Sequence, residues 1–156
     1  MCRIMRQSEL TWELKRDHRT LQALLDRIGS AGAGSPEQER LVRHAAAELE
    51  RHAVAERRFL LPTVRYEVRG GDALAGQLEA EYPDVLWALE PAESASSRGP
   101  GFDGQVQRLS AAFGRHVRLC EHQLFPRLCR VCPESELTRL GTEFHRHAHR
   151  HHADIA

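Results

Sequence analysis

The sequence predicts an all-α protein, an up-down four-helix bundle with a short additional helix at its C-terminal end. Two observations predict it. Apolar residues recur at steps of three and four along four long segments, the spacing that lines one face of a helix. Runs of alternating β-branched residues, the mark of half-buried strands, do not stand out anywhere. Amphipathic helices joined by connections of this kind bury their stripes by packing antiparallel.

The first helix is expected from about Ser8 to Ile28, with Leu14, His18, Leu21, Leu25 and Ile28 on one inward stripe. Gly29-Ser30-Ala31-Gly32-Ala33-Gly34 ends it as a glycine-rich linker. Ser35 then caps a second helix, with Pro36 in its first turn. Its stripe is Leu41, Ala45, Leu49, His52, Glu56 and then Phe59 or Leu60, until Pro62 interrupts or kinks it. Gly70-Gly71-Asp72 is a turn signal before a third helix from about Asp72 to Leu89, carrying Leu74, Leu78, Tyr82 and Val85, with Pro83 as a kink point. The stretch from Glu90-Pro91 to Gly104, rich in Pro, Ser, Ala and Gly, reads as a long loop. A fourth helix is expected from about Gln105 to Leu128, with Val106, Leu109, Phe113, His116 and Cys120 inward. Pro133-Glu134-Ser135-Glu136 starts a shorter helix with Leu137, Leu140 and Phe144. The chain thus divides into a bundle over residues 1–132 and a C-terminal helix with a histidine-rich tail over 133–156.

Composition narrows the function. At 156 residues the chain has room for one domain with a core. Apolar residues at 41% and charged residues at 28% are an ordinary globular balance. Lys+Arg and Asp+Glu both number 22, so the basic excess that nucleic-acid or membrane-surface binding normally needs is missing. No window is apolar for long enough to span a bilayer, and Met1 to Gln7 lacks the apolar stretch of a secretory signal, so a cytoplasmic location is expected. Cys2, Cys120 and the lone Cys129-x-x-Cys132 pair do not form a disulfide framework and read as reduced thiols. No glycine-rich phosphate loop appears, and no nucleotide cofactor is expected.

The chemistry lies in polar residues that interrupt the apolar stripes. His18, His52, Glu56, Tyr82 and His116 all occupy positions that face the core. Unpaired burial of such groups costs about 1–3 kcal/mol each, so they must be hydrogen-bonded or bound to a metal. One histidine alone is most simply a hydrogen-bonded core residue. Polar residues near the middle of all four helices are most simply explained together, by a single site. His52 and Glu56 are four apart and share a helix face. The segment His52 to Pro62 is partly repeated as His116 to Pro126, with histidine, leucine and proline in register. Two segments of one design suggest two halves of one metal site drawn from facing helices.

These residues resemble the hemerythrin-like, HHE cation-binding family over about residues 10 to 130. Leu14-Lys15-Arg16-Asp17-His18-Arg19-Thr20-Leu21 is similar to the family's first-helix histidine motif, and His52 with Glu56 to its second-helix pair. Leu78-Glu79-Ala80-Glu81-Tyr82-Pro83-Asp84-Val85 looks like the third-helix pattern with Tyr82 in the place of histidine, and His116 with Glu121 fits the fourth-helix variant. The resemblance implies a four-helix bundle holding two iron ions, bridged by carboxylates and an oxo or hydroxo group, ahead of manganese or zinc. It implies Glu56 and Glu121 as bridges, His18 and His52 on one iron and His116 on the other.

Leu78 and Tyr82 stand where oxygen-carrying hemerythrins have two histidines. Tyr82 is then either a phenolate ligand or a buried tyrosine hydrogen-bonded across the bundle. Glu121 lies five residues after His116, about 140° round an ideal helix, and reaches the same site only through its length or a local π-bulge. Cys120, four residues after His116, is a rival ligand or a core thiol. His44 and His122 read as surface residues, Glu48 and Glu81 as solvated or as acceptors behind the ligands. His145/His149 and His147/His151 have the i, i+4 spacing of divalent-metal pairs, on a tail read as a flexible, adventitious binder.

The resulting expectation is a non-haem di-iron protein that handles dioxygen, peroxide or nitric oxide. An oxygen-rich ligand set suits peroxide decomposition or redox sensing better than reversible oxygen carriage. The alternatives are an iron-responsive binding module without turnover and a metal-free bundle with hydrogen-bonded histidines.

Overall fold

The computed structural model describes residues 9–87 and 101–153, with side chains described over 9–82 and 101–148. Among these residues it is helical apart from short turns and linkers and contains no strand. Helix α1 (Leu10–Ser30) and α2 (Pro36–Ala55) are joined by the glycine-rich linker. The Ser35 hydroxyl accepts from the Gln38 backbone N–H at 3.1 Å, the cap that the sequence predicts. Gln38 also ties the linker down, donating to Ile28 O at 3.2 Å and accepting from Gly34 N at 2.9 Å.

The second bundle helix does not stop at its proline. After α2 the backbone widens into a π-helical segment, Glu56–Leu60, and continues as α3 (Leu61–Glu67), with Pro62 in the first turn. The fourth bundle helix repeats this: α5 (Phe102–Arg118), a π-helical segment Leu119–Leu124, then α6 (Phe125–Val131), with Pro126 in the first turn. Proline has no N–H to donate and its ring crowds the carbonyl four residues back. A preceding π turn shifts that bonding pattern and lets the helix run on. The sequence repeat from His52 to Pro62 and from His116 to Pro126 is therefore also a structural repeat.

Between α3 and α4 (Gly71–Trp87) the turn depends on two glycines. Gly70 has φ +74°, and the carbonyl of Val64 occupies the space that a Cβ on Gly71 would need. The helical backbone of α4 runs through position 83 to Trp87. Helix α5 starts at Phe102, whose buried ring joins the core, so the loop expected to reach Gly104 ends earlier. Helix α7 (Glu134–Ala153) has 20 residues, longer than its sequence suggested, and runs through most of the histidine-rich stretch. Leu137, Leu140 and Phe144 join the same apolar cluster as α3, α4 and α6. Cys2, the stretch from Pro91 to Pro100, and the side chains of Val85, His149, His151 and His152 lie outside the described residues.

The core falls into two apolar clusters. One holds Leu10, Leu14, Phe59, Leu78, Leu124, Phe125 and Phe144 among others. The other holds Leu21, Leu25, Leu41, Leu49, Leu109 and Phe113. His18, between Leu14 and Leu21, falls where α1 passes from one cluster to the other, and the polar site occupies this layer. No helix among the described residues is long and apolar enough to cross a membrane.

Candidate metal centre

Each helix of the bundle contributes to this polar layer at mid-length. The inward faces of α1, α2 and α5 bring in His18, His52 and His116, and Glu56 opens the first π-helical segment. All four are buried, with at most 2% of any residue exposed. Their ligand atoms lie within 4.8 Å of one another, a spacing that suits one metal ion. His52 Nε2, His116 Nε2 and His18 Nε2 surround a single atom, Glu56 Oε1, at 3.3, 3.4 and 3.9 Å.

Aromatic rings fix the imidazoles. His18 stacks on Phe125 with 6.0 Å between centroids, and His116 stacks on Phe113 at 5.8 Å. Carboxylates sit behind the rings. His18 Nδ1 is 2.9 Å from Glu121 Oε1, His52 Nδ1 is 3.2 Å from Asp17 Oδ2, and His116 Nδ1 is 3.9 Å from Glu81 Oε2. For His18 and His52, whose Nδ1 atoms lie within hydrogen-bond distance of a carboxylate, an Nδ1–H donated outward turns the lone pair of Nε2 toward the centre of the site in a neutral imidazole. His18 Nε2 and His52 Nε2 have no hydrogen-bond partner among the described residues, although both are buried. Two orphaned buried nitrogens aimed at a carboxylate oxygen are a donor set that a divalent ion satisfies, and the residues present therefore fit a metal.

Electrostatics agree. Burial alone would raise the Glu56 carboxyl, but His116 and His52 outweigh it and hold it well below the usual range. Burial lowers His52, yet Glu56 and then Asp17 overcome that and raise it to about 9. Burial, reinforced by Glu56, pushes both the Tyr82 phenol and the Cys120 thiol up. Both shifts favour the protonated phenol and thiol.

The sequence-predicted residues divide into two groups. His18, His52, Glu56 and His116 come together. Tyr82 and Glu121 lie beside them. Tyr82 donates to Glu56 Oε2 at 2.8 Å, the hydrogen-bonded arrangement. The expected π distortion is present at Glu121, but it turns this side chain toward α1, behind His18, and not opposite Glu56. Its hydrogen bond with His18 lowers the Glu121 carboxyl. Cys120 Sγ stands 3.7 Å from Glu56 Oε1 and 3.8 Å from His116 Nε2.

The Hemerythrin HHE cation binding domain model matches residues 9–128. The chain belongs to this family. It is a hemerythrin-like metal-cation-binding domain, with a His/Glu cluster that could hold a metal ion. A crystal structure of a hemerythrin HHE cation binding domain-containing protein from Mycobacterium kansasii superimposes with a TM-score of 0.82 at 20% identity, covering 94% of this chain and 88% of that one. That likeness shows the fold, and its coverage takes in most of the chain beyond the family match. No curated protein matches this HHE domain.

Sequence reasoning missed Asp17 and Arg51. Each stands directly before a stripe histidine, His18 and His52, and that adjacency was the available signal. It also treated the whole histidine tail as a free end. His147 is instead buried with its ring 5.9 Å from Phe59, and His145 Nδ1 lies 3.7 Å from Glu13 Oε2.

Proposed function

We propose that this HHE domain is a non-haem iron protein that handles dioxygen, peroxide or nitric oxide, and that peroxide decomposition or redox sensing is its role in preference to reversible oxygen carriage. The observation that carries this reading is the donor set. Three imidazole nitrogens converge on a carboxylate, and the third helix adds a phenol at Glu56 in place of further imidazole. Imidazole with carboxylate suits iron or manganese, and the Tyr82 phenol would add an oxygen donor only by giving up the proton it now donates to Glu56. Bound iron supplies Lewis acidity and redox cycling toward a small oxidant.

The chain's own residues set the conditions. Burial of all four cluster residues keeps the donors dry and restricts approach to small ligands. Tyr82, hydrogen-bonded to Glu56 Oε2, holds a proton within the site. For two irons, as the family resemblance implies, Glu56 and Glu121 would hold the ions together with the three histidines, and Glu121 would have to leave its hydrogen bond with His18 Nδ1 to do so.

A sensor that binds iron without turnover is the second reading. Its support is the coupling of the site to the core, since loss of metal leaves buried Nε2 atoms unsatisfied. Steady-state oxygen evolution from hydrogen peroxide separates the two. Repeated turnover by iron-loaded protein, abolished in Glu56→Ala, supports the enzyme. Iron-loaded protein that evolves no oxygen beyond a Glu56→Ala control removes the peroxide reading and leaves the sensor.

A further inference from the structure

Directly behind the His52 ring, α1 and α2 are tied together by an arrangement that none of the metal donors requires. Asp17 Oδ2 faces two groups of α2: His52 Nδ1 at 3.2 Å and Arg51 Nη2 at 2.9 Å. Arg51 is itself gripped from its own helix, since its Nε donates to Glu48 Oε2 at 3.0 Å. Only 8% of the Arg51 side chain and 12% of the Asp17 side chain are exposed, so this ion pair is well shielded from water. The sequence order makes the arrangement compact. Asp17 precedes the donor His18, Arg51 precedes the donor His52, and each of these preceding residues crosses to the other helix.

We propose that Asp17 is a positioning residue for the metal donor His52, with Arg51 holding the Asp17 carboxylate in place. The inference rests on the metal-binding reading above. An ionised carboxylate only accepts hydrogen bonds, so His52 Nδ1 must carry the hydrogen that Asp17 receives. That fixes the tautomer of neutral His52 and leaves the lone pair on Nε2, the atom that faces Glu56 Oε1 at 3.3 Å. The same contact sets the ring's rotation, because Asp17 holds Nδ1 from the α1 side and so directs Nε2 toward the centre of the site. Arg51 prevents Asp17 from turning toward solvent, and Glu48 prevents Arg51 from doing so. A helix-pairing ion pair would need Asp17 and Arg51 alone; the shared Oδ2 atom links that pair to the donor.

The test measures Fe(II) binding under anaerobic conditions by competition with a coloured ferrous chelator, for wild type, Asp17→Ala and the near-isosteric Asp17→Asn. Unfolding temperatures are measured with and without Fe(II). Loss of a hydrogen-bond partner behind a ligating histidine lowers metal affinity roughly 10–100-fold. Asp17→Ala is expected to show that loss, with Asp17→Asn intermediate because its amide oxygen still accepts from Nδ1. The rise in Tm on adding Fe(II) should shrink in the same order. Should Asp17→Ala fail to fold, Asp17→Asn carries the test alone, and its affinity must fall below wild type. Wild-type affinity in the folded variants, or equal lowering of Tm with and without metal, overturns the proposal and leaves Asp17 as a helix-pairing residue. Wild-type protein that binds no Fe(II) removes the metal reading, and the proposal with it.

Discussion

The Tyr82 phenol donates its hydrogen to Glu56 Oε2 at 2.8 Å, and this bond ties the third helix to the carboxylate at the centre of the site. The partner is a fully buried carboxylate whose other oxygen faces three imidazoles. Tyr82→Phe therefore leaves Glu56 Oε2 without its donor in a dry interior. The metal-free variant should lose about 1–3 kcal/mol of unfolding free energy in urea titration. In ferric protein, wild type should show a visible phenolate-to-iron absorption band that Tyr82→Phe lacks; identical spectra would make Tyr82 purely a hydrogen-bond donor.

A second prediction concerns pH. In the metal-free fold Glu56 and Asp17 raise His52 from 6.5 to about 9, against the effect of burial. A group whose folded value exceeds its unfolded one stabilises the fold fully below the unfolded value and stops doing so above the folded one. The His52 contribution is thus present below about pH 6.5 and disappears as pH rises through about 9. Metal-free protein should lose stability across that window, and His52→Gln should flatten the loss. Because a metal takes the deprotonated imidazole, binding at neutral pH should also release a proton, seen as a dependence of the calorimetric heat on the buffer's ionisation enthalpy.

The main lines of the fold were legible because periodicity reports burial directly: His18, His52, Glu56 and His116 stood out as polar residues at apolar positions, and all four are buried. Glu121 was harder. Its direction depends on the π-helical segment Leu119–Leu124, and 3.6-residue periodicity says nothing about where a helix widens. Asp17 escaped notice because a charged residue beside a stripe reads as solvated until the partner helix, with Arg51 on it, is in place. His147 escaped for a similar reason, since only the docking of α7 shows that its ring meets Phe59.

Glu121 decides how many ions the site takes. It is bonded to His18 Nδ1, whereas the two-iron reading uses it as a bridge. Wild type loaded with iron should contain two ions per chain, and Glu121→Ala should fall to one while His18, His52, Glu56 and His116 keep that one. Unchanged iron content in Glu121→Ala would exclude a bridging role; plasma mass spectrometry on folded protein reads the result.

Gly71 tests the frame independently of the metal. A Cβ there meets the Val64 carbonyl, a backbone atom that cannot move aside without shifting α3. Gly71→Ala should cost on the order of 1–3 kcal/mol in chemical unfolding, as overpacking does. Iron content per folded chain should stay as in wild type, because the turn touches no donor.

The central claim is that the metal sits among His18, His52, Glu56 and His116. The histidine-rich run of α7 is a competing binder that bulk metal analysis does not separate, and truncating it would remove the core residues Phe144 and His147. An anomalous-scattering map at the iron edge from iron-loaded crystals of the full chain locates the ion directly. A peak is expected in the polar layer between the two apolar clusters, within coordination distance of the three Nε2 atoms and Glu56. A peak confined to the histidines of α7, or no peak in the polar layer, would overturn the claim.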